Sequence, residues 1–454
     1  MRSALLILLA SVTALLGAAC SNDDSAGPET GATTSTTTGS GHGGSGGLGG
    51  TGGAAGAAGS GAQPLELVYY DVNQVLSTGQ SLSVGAMGVP VLTVEQPYDN
   101  IMFSGGVAAV ANLTAFAPLI EGVDPPVETM SSSFANFVTE MARDEVLVNQ
   151  PVGERTHDLL VTLHGVGGVA YAGLAKGTQP YANGMAQLGA AATLTSSQTL
   201  SHVVRAVTTV HGESDHLSGN PSYEANLVEW QADYEADVQA VTHQTEPVPL
   251  LQTQMSSWTD YGQAQSLIPS AQLSASENNP DAIILVGPKY ALAYAADGVH
   301  LTNEGYRQMG EYYAKAYRRA ILEGQTWRPL APTSISRAGA VITVTFYVPE
   351  PPLVLDTTLV SDPGAYGFEY FDDSGAPPAI AAVALASEDT LTVTLQSAPT
   401  GANQRLRYAF TGIAGAAAGA TTGPRGNLRD SDGTVSPHAY PLYNWCVHFD
   451  KPIP

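Results

Sequence analysis

The stretch His202-Val-Val-Arg-Ala-Val-Thr-Thr-Val210 is dense in branched side chains, and His211-Gly-Glu-Ser-Asp215 follows it directly. A short run of β-branched residues bounded by a turn signal reads as a buried parallel strand. The abrupt change from apolar to acidic and polar groups at its carboxyl end marks a place where chemistry can sit. Working outward, the same texture recurs. Asp158-Leu-Leu-Val-Thr-Leu163 is a strand that runs into Gly165-Val-Gly-Gly168, and Leu67 to Leu76 is a strand that precedes Gly79-Gln-Ser-Leu-Ser83. Downstream, Val248 to Thr253 and Ala282 to Val286 complete a set of five, and Asp297-Gly-Val-His300 follows the last by about ten residues.

Helical patterns separate these runs. Leu227, Trp230, Tyr234, Val238 and Val241 recur at helical spacing, with Glu229, Asp233, Glu235 and Asp237 on the other face. Tyr306, Met309, Tyr313 and Tyr317 predict a second amphipathic helix, with Thr302 or Asn303 as its cap. Strands alternating with helices imply a parallel sheet covered on both faces, a three-layer α/β/α domain of five parallel strands over residues 64–326. After Trp327 the texture is all-β. Ala340 to Val348, Gly367 to Phe371, Thr390 to Leu395 and Leu406 to Phe410 read as strands between Pro, Gly, Asp and Ser, so residues 327–454 predict an accessory β-sandwich.

Ligand sites of open α/β sheets lie at the carboxyl ends of the strands, and four motifs fall there. Ser81 on a glycine turn suits a nucleophile. Asp297 stands three residues before His300, so its carboxylate can bond one imidazole nitrogen and leave the other facing a nucleophile. Gly167 and Gly168 expose backbone N–H groups of the kind that hold an oxyanion. Each motif alone is also what a polar loop supplies; their joint order is the signal.

That order resembles the blocks of the SGNH hydrolases, and most the sialate O-acetylesterase and acetylxylan esterase branch, over about Leu65 to Leu322. In that branch the nucleophile motif is Gly-Gln-Ser, the third block contains Gly-Glu-Ser, and the last is Asp-x-x-His followed by a helix. The resemblance implies a flavodoxin-like fold and a serine esterase that removes acyl groups, acetyl above all, from carbohydrate without a cofactor. It implies Ser81 as nucleophile, His300 as base and Asp297 as the acid that orients it, with Glu213 sharing or taking that role. Gly168, or its neighbour Gly167, would donate to the oxyanion. Gln80, Gly212 and Ser214 complete the substrate-side blocks, and His211 stands where the branch carries a Gln donor. Glu213 and His216 form a rival acid–base pair, and His164 reads as structural. A glycan-binding protein with a decayed site and an O-acyltransferase with the same triad are the alternative readings.

The amino terminus has the pattern of an export signal: Arg2, an apolar run from Ala4 to Leu16, then Gly17-Ala-Ala-Cys20. The run is too short to span a bilayer. Small residues before a Cys resemble a bacterial lipobox, with Gly17 where Leu is usual, so Cys20 is expected to carry lipid and anchor an exported protein at the cell envelope; simple cleavage and secretion is the other outcome. Residues 21–63 are Gly, Ser, Thr and Ala and read as a flexible linker. The net charge of −24, from 41 acidic against 17 basic residues, argues against nucleic acid as a partner. The ten histidines show no metal-ligand spacing, and Asp430-Ser-Asp432-Gly433 reads as a polar turn rather than a calcium loop. Cys446 sits in an apolar run and reads as a buried thiol.

Overall fold

The structure, a computed structural model, describes residues 67–454. The expected signal segment, Cys20 and the linker lie outside the described residues. Seven strands form one sheet: β1 (Val72–Gly79), β2 (Ile101–Phe103), β3 (Phe116–Pro118), β4 (Leu159–Leu163), β5 (His202–Val210), β6 (Leu250–Gln254) and β7 (Ile283–Pro288), in the order β3-β2-β4-β1-β5-β6-β7. All five expected strands are present and parallel, and β5 has the expected limits. The sheet is wider than expected, because β2 adds in parallel beside β4 and β3 closes the edge antiparallel. Three residues are too few to show a period, which is why neither was legible. The first strand also starts later than expected and runs on to Gly79. Two of its buried polar residues find side-chain partners: Arg205 donates to Asn73 (2.8 Å), and Gln74 donates to Thr162 (3.2 Å).

Among the described residues the α-helices are α1 (Ser131–Met141), α2 (Gln179–Ser197), α3 (Glu213–Ser218), α4 (Tyr223–Thr242), α5 (Ile268–Asn278) and α6 (Asn303–Tyr317). Successive residues of a strand point to opposite faces, and the two cores follow that rule. Val75, Val161 and Ile284 meet Phe134, Val138, Tyr306 and Tyr313 of α1 and α6 on one face. Leu76, Val204, Val207 and Leu250 meet Leu188, Leu227, Trp230, Tyr234 and Ala275 of α2, α4 and α5 on the other. The result is the expected three-layer sandwich. Thr302 caps α6, its hydroxyl accepting from the Gly305 N–H at 3.1 Å.

The rest of the chain is β8 (Ala331–Ala338), β9 (Val341–Tyr347), β10 (Val354–Leu355), β11 (Phe368–Phe371), β12 (Ile380–Leu385), β13 (Thr390–Leu395), β14 (Arg405–Tyr408), β15 (Leu428–Arg429) and β16 (Phe449–Pro452). A four-stranded antiparallel sheet, β12-β13-β9-β8, and a three-stranded one, β11-β14-β16, share a core of Val344, Val393, Phe368 and Tyr408. That core also takes in Leu273 of α5, Leu285 of β7 and Tyr290, so the β region is packed onto the α/β region rather than tethered to it. Cys446 is buried there, as expected. The Asp430–Asp432 turn serves the same attachment: the Lys315 ammonium of α6 sits 2.6 Å from Asp432 and donates to Asn444 at 2.9 Å, a protein cation at the carboxylates.

One buried acid predicts a pH effect. Glu121, in the loop before α1, accepts from the Ser132 and Thr129 N–H groups at 2.8 and 3.1 Å. Burial, together with the neighbouring Glu128 charge, nevertheless pushes its carboxyl up to about 7. A folded-state value raised above the unfolded one stabilises fully below about pH 4.5 and loses that contribution as pH rises through about 7. At 1.36 kcal/mol per pKa unit the loss is on the order of 3 kcal/mol. Glu121→Gln is therefore expected to gain stability relative to wild type between pH 5 and pH 8. Urea unfolding at both pH values checks this, and a constant difference would contradict it.

Candidate active site

Ser81, the glycine loop, Glu213 and His300 all follow strands at one edge of the sheet, and β1 lies between β4 and β5. The turn after β1 is therefore flanked by the glycine loop after β4 and by α3 after β5. Gly79 makes that turn possible. Its φ is +120°, and a Cβ there would stand 2.5 Å from the Val210 carbonyl oxygen. Gly165 is under similar constraint, since a Cβ would meet the Ser83 hydroxyl at 2.2 Å. Ser83 donates to the Gln80 carbonyl at 2.7 Å and closes the turn.

His300 joins Ser81 to Asp297. Its Nε2 lies 2.7 Å from Ser81 Oγ, and its Nδ1 lies 2.6 Å from Asp297 Oδ2. The other oxygen, Asp297 Oδ1, accepts from the backbone N–H groups of Val299 and His300 at 3.1 and 3.0 Å. Burial pushes the Asp297 carboxyl up, but these bonds outweigh it and hold the group below the usual carboxylate range. An ionised Asp297 accepts the Nδ1 proton, so the neutral ring presents the Nε2 lone pair to the Ser81 hydroxyl.

Glu213 is elsewhere. It is fully buried and accepts from Gln80 Nε2 at 2.7 Å and Ser257 Oγ at 3.0 Å, with Lys289 Nζ at 3.5 Å. Gln80 completes the link by accepting the Ser214 N–H at 3.2 Å. Both groups thus brace the nucleophile turn from beneath, and the expected sharing of His300 between Asp297 and Glu213 has no hydrogen bond behind it. The expectation for Gln80 is corrected as well: with its amide held on both sides inside the protein it is a brace, not a contact for substrate.

The expectation for His211 as an oxyanion donor also fails on geometry. Nδ1 lies 2.8 Å from the Tyr223 hydroxyl and Nε2 lies 3.1 Å from the Val169 carbonyl, so both nitrogens are committed and the ring is buried. What it does is pin the end of the glycine loop. Gly167 is the loop glycine that approaches Ser81, since a Cβ on it would lie 3.6 Å from Ser81 Cβ. A Cβ on Gly168 would meet nothing within 4 Å, and Gly168 contributes a φ of +74° that turns the loop. Gly212, with a φ of +138°, opens α3 against Ile268 and Met255. Among the described residues the backbone N–H groups of Ser81, Gly167 and Gly168 donate to no other protein group, which leaves them available at the turn.

His164 is structural as expected, bonded to the Tyr234 hydroxyl at 2.6 Å. His216 makes no hydrogen bond with Glu213, so the rival pair is not assembled. Sequence reasoning missed Ser257 and Lys289. Both follow apolar strands, β6 and β7, and the change to polar residues there was the available signal. Among the described residues no group of three His, Cys, Asp or Glu could hold a metal ion.

Residues 124–319 match the profile of a family described as carbohydrate esterase, sialic acid-specific acetylesterase. The matched segment is similar to that family and spans less than half of the chain. It contains the glycine loop, Glu213, Asp297 and His300, while Ser81 precedes it. That family, by its description, consists of acetyl-removing carboxylic ester hydrolases. No curated protein matches the chain. Solved structures that it resembles include an Arabidopsis thaliana protein, 18% identical, TM-score 0.39, covering 54% of this chain and 97% of that one. A carbohydrate acetylesterase from Xanthomonas citri is 15% identical, TM-score 0.49, covering 84% of this chain and 80% of that one. Another, from Sinorhizobium meliloti, is 11% identical, TM-score 0.29, covering 54% and 97%.

Proposed function

We propose that the chain removes acetyl groups from a carbohydrate through an acyl-enzyme on Ser81. The observation that carries this reading is the unbroken chain of short hydrogen bonds from Ser81 through His300 to Asp297. His300 takes the hydroxyl proton through Nε2 as Ser81 Oγ attacks the ester carbonyl carbon. The carbonyl becomes a tetrahedral oxyanion, held by the free N–H groups at the Ser81 turn and the Gly167–Gly168 loop. His300 then gives its proton to the departing sugar oxygen, and the acetyl group stays on Ser81. Water, deprotonated by His300, releases acetate and restores the serine. Asp297 keeps the ring in the working tautomer throughout and balances the imidazolium charge.

Incubation with a chromogenic acetyl ester and with acetylated sugars, with free sugar acceptors added, tests the reading. Acetate should appear in step with ester loss, and acceptors should not divert it. Transfer of the acetyl group to added sugar in place of acetate release would make the chain an acyltransferase. The export pattern and Cys20 support a lipid-anchored enzyme of the cell envelope; mass spectrometry of the mature amino terminus would show a lipidated Cys20, and an unmodified terminus would overturn that part.

A further inference from the structure

The hairpin that carries Asp297 and His300 is stitched together by its own backbone. The Ala295 N–H donates to the His300 carbonyl at 2.7 Å, the Thr302 N–H to the Ala293 carbonyl at 2.9 Å, and the Gly298 N–H to the Ala295 carbonyl at 3.1 Å. With Asp297 accepting from Val299 and His300, the acid and the base are fixed relative to each other. Those bonds do not fix the hairpin relative to Ser81. Among the described residues, one hydrogen bond reaches its tip, residues 296–299, from elsewhere in the chain: the Ala418 N–H donates to the Gly298 carbonyl at 2.9 Å. Ala418 lies on a strap of the β region, between β14 and β15. A Cβ on Gly298 would stand 2.6 Å from Ala417 Cβ and 2.9 Å from Asp260 Oδ1, so the tip is seated between the strap and the loop after β6. Gly298 is buried there although Asp297 beside it is exposed.

Thr259, fully buried in that loop, fastens the strap twice: its hydroxyl donates to the Ala416 carbonyl and its carbonyl accepts the Gly415 N–H, both at 2.7 Å. The same loop also reaches the nucleophile. Ser257 donates to Glu213 at 3.0 Å, and Glu213 accepts from Gln80 of the Ser81 turn at 2.7 Å. Between Ser257 and Thr259, Trp258 is buried and donates to the Ala264 carbonyl at 3.2 Å, which anchors the segment. Ser257-Trp258-Thr259 therefore ties into the Ser81 turn on one side and, through the strap, into the His300 hairpin on the other. Proton transfer from Ser81 Oγ to His300 Nε2 needs those atoms held at hydrogen-bond distance. A misplacement of about 1 Å can cost on the order of 10²-fold in rate.

We propose that Thr259 and the Ala416–Ala418 strap are positioning elements of the reaction: they set the His300 hairpin against the Ser81 turn, which makes the β region part of the catalytic apparatus. The proposal rests on the Ser81–His300–Asp297 reading above. It is tested on the full chain by steady-state kinetics with p-nitrophenyl acetate and by the rate at which a serine-directed phosphonate labels Ser81. Thr259→Val keeps the shape of the side chain and removes the hydroxyl that holds the strap. It is expected to lower kcat and the labelling rate about tenfold, with KM nearly unchanged, as when an interaction needed only in the transition state is lost. The acidic limb of kcat/KM against pH should keep its midpoint, because the Asp297–His300 pair is internal to the hairpin. Thr259→Ser retains the donor and should restore the rate. Ala417→Leu, at a half-buried position, wedges the strap away from Gly298 and should give the same loss of kcat. Full kcat in folded Thr259→Val would overturn the proposal; should that variant not fold, full kcat in Ala417→Leu would do so. A Thr259→Ser as slow as Thr259→Val would overturn it too, since packing and not the hydroxyl would then be responsible, as would a shifted acidic limb. Wild type that hydrolyses the ester without labelling at Ser81 would instead overturn the triad reading on which the proposal stands.

Discussion

Ser81→Ala is expected to lower turnover of a chromogenic acetyl ester by about 10⁶, the scale seen when a triad serine is lost elsewhere. That corresponds to roughly 8 kcal/mol at about 1.36 kcal/mol per decade. The reason is that a methyl group cannot form the acyl-enzyme, so only binding and oxyanion stabilisation remain, and these leave about 10³–10⁴ over water. Folding should be untouched. Among the described residues the Ser81 hydroxyl bonds only His300, and the turn is shaped by Gly79, Ser83 and the Gln80–Glu213 bond. Equal thermal midpoints for the variant and wild type check that point. A loss below tenfold would mean that another group attacks the ester.

Asp297→Asn is expected to cost about 10⁴ in turnover, roughly 5 kcal/mol of barrier. The carboxylate takes two backbone N–H groups on Oδ1 and the imidazole on Oδ2. Asparagine can keep its oxygen on the backbone donors only by turning its NH₂ toward His300 Nδ1. An NH₂ facing the ring needs an acceptor there, which places the ring proton on Nε2 and removes the lone pair that Ser81 needs. Glu213→Gln should cost much less in turnover, because Glu213 does not touch His300. Its cost should appear in stability instead: Lys289 is fully buried beside it and would lose its paired charge. Parallel kcat and thermal midpoint measurements separate the two. If Glu213→Gln were the crippling change in turnover and Asp297→Asn the mild one, the orienting acid would be Glu213.

The sequence reveals most where interactions are local. Asp297 and His300 are three residues apart, and Thr302 caps the helix that follows, so both features follow from spacing. The antiparallel strand β13 matched its expected limits, because its pattern of alternate buried residues is carried by Leu391, Val393 and Leu395. Helix α1 and helix α2 gave no clear pattern. Ser131, Ser132 and Ser133 are all buried at the start of α1, and α2 is built largely of Ala, Gly and Thr. A serine has no apolar face to show, and small residues hide a helical period.

The site divides along the same line. Glu213 lies in a block that its sequence motif marks, yet whether it serves His300 or Gln80 depends on strands far apart in sequence. His211 shows the limit most clearly. A donor for the oxyanion and a donor for the Val169 carbonyl look identical until Tyr223 and Val169 are seen on its two nitrogens. The strap at Ala416–Ala418 is an Ala and Gly run that touches Gly298 from more than a hundred residues away. It carries no motif at all, and only the fold brings it to the triad.

The central claim is that Ser81, activated by His300, is the nucleophile, and covalent trapping tests it most directly. The intact protein is treated with a serine-directed phosphonate, digested, and mapped by mass spectrometry. Ser81 should carry the label alone, with none on Ser81→Ala and slower labelling of Asp297→Asn. Label on Ser83, whose hydroxyl is tied to the Gln80 carbonyl, or on Ser214 at the start of α3, would contradict the account.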